Sequence, residues 1–253
     1  MKYPLVFSNR HYVFEIDGKS MLLDTGSPSS FFFENPGKIE VGNKSFQLKA
    51  SPIPGMKENT EKLVDEKVDG IIGLDIISLF TVVIEKDICF FDVAEIVDEE
   101  QLKNIDNLRE YHKDHGTIDF TDKFEGMRDA VTVPLKTARG ILSFDAEVNG
   151  RQVTAFLDTG ASNSYAAPSV LAGLESSGTT EDYFALQNEW DTSRVYYNVE
   201  TKIAGKDFKL RFCTNPRIQG AYNLPEDTAI MGAEELYFDT LVIDISGKKM
   251  ILL

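Results

Sequence analysis

The chain has 253 residues, 42% of them hydrophobic, and a formal net charge of −15. That length allows one large domain or two moderate ones, either with a real core. The acidic surplus repels phosphate backbones and anionic lipid, so nucleic acid and membrane surfaces are not expected as partners. No apolar run approaches the ~18 residues of a membrane span. The opening MKYPLVFSNRHYVFEIDG lacks the apolar stretch and small-residue cleavage site of a signal peptide, and the expected location is cytoplasmic. Cys89 and Cys213 lie far apart, each flanked by apolar residues, which predicts buried free thiols in a reducing compartment.

In chain order, HYVFEIDGKSMLLD predicts two strands joined at Asp17-Gly18, a strong short-range hairpin signal. It runs into LLDTGSPSS (Leu22–Ser30). A second hairpin is expected over IEVGNKSFQLKA, and a short helix near 74–79. In EIVDEEQLKNIDNLREYHKDHG, Ile96, Leu102, Ile105, Leu108 and Tyr111 mostly recur at helical spacing, predicting a linker helix over 95–112. LSFDAEVNGRQVTAFLD then reads as a hairpin turning at Asn149-Gly150 and leads into FLDTGASNS (Phe156–Ser164). TKIAGKDFKLRF predicts a further hairpin, and a last short helix is expected near 233–238. The expected class is mainly β with few short helices.

Two phrases return in the same order. Asp24-Thr25-Gly26 reappears as Asp158-Thr159-Gly160, and IIGLDIISLFTVVIE (Ile71–Glu85) aligns without gaps on IMGAEELYFDTLVID (Ile230–Asp244). One Asp-Thr-Gly alone reads as a turn or a capping carboxylate. Two, each followed by the same second landmark, read as an internal duplication. The expected organisation is a first lobe at 1–92, a linker at 93–130 and a second lobe at 131–253.

LLDTGS with IIGLDII, and FLDTGA with IMGAEEL, resemble the aspartic peptidases, both pepsin-like single chains and retroviral-type dimers. The resemblance covers most of each half. It implies a bilobal acid-protease-like fold of two pseudo-twofold-related β lobes, each giving one aspartate to a shared site, so that a monomer suffices. Asp24 and Asp158 are then the candidate catalytic pair, because close carboxylates cannot both ionise and can share one proton. The resemblance further implies that Thr25 and Thr159 cross-link the two loops. It gives Gly26 and Gly160 the task of keeping a Cβ away from substrate, and has Gly73 and Gly232 let a later strand pass closely beneath. Ser27 differs from its counterpart Ala161, and a Ser27 hydroxyl donated to Asp24 would bias the charge to Asp24 and the proton to Asp158.

The stretch from Asp158 to Gly205 is much longer than that from Asp24 to Gly42. The family places its flap there, so a single flap is expected at about 180–200, in the second half, with the cleft more open on the first-half side. Tyr183, Phe184, Trp190, Tyr196 and Tyr197 are the candidate substrate contacts, with packing of the β core as the alternative for each. His11, His112 and His115 are scattered, and no His-Glu-x-x-His or Cys-x-x-Cys is present. No metal or cofactor is implied. The expected activity is hydrolysis of an extended peptide or protein substrate. The alternatives are a peptide-binding module with little turnover and an unrelated β protein.

Overall fold

The computed structural model describes residues 2–42, 44–51, 53–85, 88–92, 130–138, 140–184, 189–214, 225–233, 240–245 and 247–252. Strand β1 (Lys2–Ser8) pairs antiparallel with β2 (His11–Ile16), and β2 with β3 (Lys19–Leu23). Asp17 and Gly18, at φ 50° and 67°, make the left-handed turn that matches the twist of a hairpin. Next come β4 (Phe31–Phe32), β5 (Gly37–Val41), β6 (Lys44–Ala50) and helix α1 (Met56–Val64). The first half ends with β7 (Gly70–Ile72), α2 (Leu74–Ile77), β8 (Thr81–Glu85) and β9 (Ile88–Asp92).

The second half opens with β10 (Val131–Pro134), β11 (Lys136–Ala138), β12 (Ile141–Val148) and β13 (Arg151–Asp158). After β14 (Ser164–Ala166), a long hairpin is formed by β15 (Gly178–Phe184) and β16 (Glu189–Ile203). Then follow β17 (Lys206–Thr214), β18 (Thr228–Gly232), β19 (Thr240–Asp244) and β20 (Lys249–Leu252). The protein is therefore mostly β.

The same pairing order occurs twice. In the first half β3 runs parallel to β7, β7 antiparallel to β4, and β4 parallel to β6. In the second, β13 runs parallel to β18, β18 antiparallel to β14, and β14 parallel to β17. The halves join where β8 pairs antiparallel with β19, Val83 opposite Val242. On either side lie β9 and β20, then β1 and β10. Phe14, Leu23, Ile72 and Phe80 share one buried cluster with Phe144, Leu157, Phe212 and Met231, so a single core supports both aspartate-bearing strands.

Among the described residues there are two helices. The one expected near 74–79 is α2. The expected helices at 95–112 and 233–238 lie outside the described residues, except for Ala233. Helix α1 was not expected. Met56, Thr60, Leu63 and Val64 fall on one face of it and are buried, and a buried Leu or Val contributes on the order of 2 kcal/mol. Gly55 and Asp65, both left-handed, bound it, and the Asn9 side chain donates to the Leu63 carbonyl left open in its last turn. No described helix is long and apolar enough to cross a membrane.

Candidate active site

Strands β3 and β13 each deliver an aspartate into a loop, and β7 and β18 pass beneath those loops. The Asp24 amide donates to the Ile72 carbonyl at 3.0 Å, and Asp158 stands opposite Gly232 in the ladder. The approach leaves no room for a side chain. A Cβ on Gly73 would lie 2.7 Å from the Ser27 carbonyl oxygen, and one on Gly232 2.6 Å from that of Asn163. The amides of the two glycines donate to Ser30 Oγ and Ser164 Oγ, each at 2.9 Å.

Thr25 and Thr159 are fully buried and lock the loops together. The Thr25 hydroxyl donates to the Leu157 carbonyl at 2.9 Å and accepts the Thr159 amide at 3.0 Å. The Thr159 hydroxyl donates to the Leu23 carbonyl at 2.8 Å and accepts the Thr25 amide at 3.0 Å. Each threonine thus satisfies buried backbone groups of the other loop, which would be costly to leave unpaired.

This lock brings the two carboxyls face to face. A Cβ on Gly26 would collide with the Asp158 carboxyl, and one on Gly160 with that of Asp24. Asp24 and Asp158 hydrogen-bond each other and line one cavity of about 290 Å³. Burial holds both above the ordinary carboxylate range, and the neighbouring Asp24 charge raises Asp158 further. Asp24 Oδ1 accepts the Gly26 and Ser27 amides, both at 2.9 Å, while Asp158 Oδ1 accepts the Gly160 amide at 3.1 Å. The shorter pair of donors makes Asp24 the better seat for the charge and Asp158 for the proton.

One expectation is corrected. The Ser27 hydroxyl does not bond Asp24 but donates to the Ser29 carbonyl at 2.8 Å. The tight loop already aims the Ser27 amide at the carboxylate, and the hydroxyl closes its own turn instead. The counterpart Ala161 has no hydroxyl, and its amide donates to the Asp158 backbone carbonyl at 3.2 Å.

The β15–β16 hairpin forms the second-half wall. Tyr183 and Phe184 line the cavity, with Tyr165 and Asp182 beside them. Trp190 is not part of the lining. Its ring lies 5.2 Å from that of Tyr183, its indole N–H donates to Asn59 Oδ1 at 3.2 Å, and Lys62 Nζ sits 4.0 Å from its centroid. Tyr196 and Tyr197 are also outside the lining and point to opposite faces of β16. Tyr196 packs on Phe156, Tyr165, Cys213 and Ile230, and Tyr197 on the main core.

The first-half side also has a wall. Ile53, Met56 and Leu63, from α1 and its approach, line it together with Phe31 and Ile71. The spacing of Met56, Thr60, Leu63 and Val64 was the available signal for this wall.

No protein-family model matches the chain, and no curated protein matches it. Among solved structures, the chain is similar to a retropepsin-like aspartic protease from Rickettsia conorii, at 20% identity and a TM-score of 0.33. The similarity covers 49% of this chain and 89% of that one.

Proposed function

We propose that the protein is an aspartic endopeptidase in which Asp24 and Asp158 activate water for attack on a peptide bond. The observation that supports this reading is the meeting of two carboxyls, one from each half, at the floor of one cavity, each packed on the other loop's glycine. In the starting state Asp24 is ionised and Asp158 protonated. Asp24 takes a proton from water as the hydroxide oxygen bonds to the carbonyl carbon, and Asp158 protonates the carbonyl oxygen. The tetrahedral intermediate then collapses. Asp24 gives its proton to the leaving nitrogen, a hydroxyl proton returns to Asp158, and the C–N bond breaks with both carboxyls restored. The substrate lies extended between the α1 wall and the β15–β16 hairpin.

The second reading is a peptide-binding module with little turnover. The tie from Trp190 to Asn59, which joins the hairpin to α1 beside the cavity, favours it. Both readings are tested with an unbiased peptide library from about pH 3 to 8, with Asp24→Asn and Asp158→Asn beside wild type. Cleavage lost in either variant supports the peptidase. Binding of a statine-type inhibitor by a wild type that cleaves nothing supports the module.

A further inference from the structure

The turn between β1 and β2 holds an unusual residue for its shape. Asn9 and Arg10, at φ 40° and 70°, are both left-handed, and the second position of such a turn is ordinarily glycine. A residue held in that region is kept there by contacts that over-determine it. Here the guanidinium supplies them. Arg10 Nη1 donates to Asn163 Oδ1 at 2.9 Å and to Thr180 Oγ1 at 3.1 Å. Both acceptors belong to the second half, one in the loop after Asp158 and the other in β15.

Asn163, itself buried, carries the contact onward. Its Nδ2 donates to the Glu181 carbonyl at 3.2 Å and to Asp182 Oδ1 at 3.4 Å. The register of β15 against β16 shifts between Thr180 and Asp182, where residues 192 and 193 of β16 stand opposite Glu181 alone, and Asn163 bonds the Glu181 carbonyl there. Such a bulge re-aims the residues beyond it. Those residues are Asp182, Tyr183 and Phe184, which line the cavity above the two aspartates. Asp182 is held in turn by the Tyr165 hydroxyl at 2.5 Å and by Arg194 Nε at 3.3 Å.

We infer that Arg10 is a positioning residue which, from the first half, sets where the Asp182–Phe184 wall stands over Asp24 and Asp158. It does so through Asn163, which bonds the Glu181 carbonyl opposite the bulge in β16. The inference rests on reading the cavity as a peptide-cleaving site, and it assigns Arg10 to the placement of substrate, not to the carboxyls.

The test compares wild type with Arg10→Met, which keeps the stem and removes the fork, and Arg10→Lys, which keeps the charge. On a cleaved peptide Arg10→Met raises KM about tenfold, the value of a charge-assisted hydrogen bond, and leaves kcat within about twofold. The pH–rate profile stays in place, and Arg10→Lys falls between. An unchanged KM, or a loss confined to kcat, overturns the inference. Amide exchange over 178–184 decides the matter without catalysis, since Arg10→Met loses protection there and keeps it in β3 and β13. If wild type cleaves nothing, the peptidase reading falls by itself. Unchanged protection at 178–184 then overturns the role of Arg10, and lost protection sustains it. Should Arg10→Met fail to fold, Thr180→Val, which removes one acceptor, carries the same expectations at smaller size.

Discussion

Gly26 and Gly160 each press against a carboxyl supplied by the other half, so an added methyl would push the pair apart. A displacement of that size at reacting groups costs on the order of a hundredfold in rate. On the proposed peptidase reading, Gly160→Ala is therefore expected to lose at least about that much kcat/KM in peptide hydrolysis. Ser27→Ala is expected to stay within about twofold, with the acid limb of its pH profile unmoved, because the hydroxyl serves Ser29 and not Asp24. An acid limb shifted by Ser27→Ala would contradict the hydrogen-bond assignment. The candidate aspartates were legible because their phrase repeats. The partner of the Ser27 hydroxyl was not, since it depends on where the loop amides point.

Elements turned by glycine were legible and those turned without it were not. Asp17-Gly18 and Asn149-Gly150 marked their hairpins, whereas Asn9-Arg10 makes the β1–β2 turn with no glycine. Helix α1 was hidden because it is short and its exposed face is charged. Its tie to the hairpin has a clean reporter, as Trp190 is the chain's one tryptophan. Asn59→Ala removes the acceptor of the indole N–H and Lys62→Ala the ammonium over the ring. Each is expected to shift Trp190 emission to the red, and the double variant further. Emission unchanged in the double variant would mean that the hairpin does not rest on α1 in solution.

At the scale of the whole molecule, His11 and the aspartate pair pull stability in opposite directions with pH. His11 is fully buried in β2, its Nδ1 lies 2.8 Å from the Asn9 carbonyl oxygen, and its ring faces the Gly160 backbone. Burial, with Arg10 adding to it, lowers its pKa from 6.5 to about 4. Between those values the unfolded chain binds the proton and the folded one does not. The stability His11 contributes is thus present above pH 6.5 and lost as pH falls toward 4. The raised aspartates act the other way, because the folded state keeps a proton that the unfolded chain releases. Their contribution is present below the ordinary carboxylate value and lost as pH rises through the raised one. His11→Gln should flatten the acid-side slope by up to about 1.4 kcal/mol per pH unit in denaturant unfolding. An unaltered slope would mean that His11 titrates normally. The recurrence of the two phrases goes with a strand-pairing order that occurs in both halves. The meeting of β8 with β19 did not follow from it, because a local repeat does not state which edges join.

The most direct test of a shared proton at one cavity is an NMR titration of the aspartate carboxyl carbons in wild type, Asp24→Asn and Asp158→Asn. The geometry predicts two midpoints split widely in wild type, with the upper one well above the usual carboxylate range. Replacing Asp24 should lower the Asp158 midpoint, since the charge that raises it is gone. Two ordinary midpoints, each indifferent to removal of the other residue, would contradict the account.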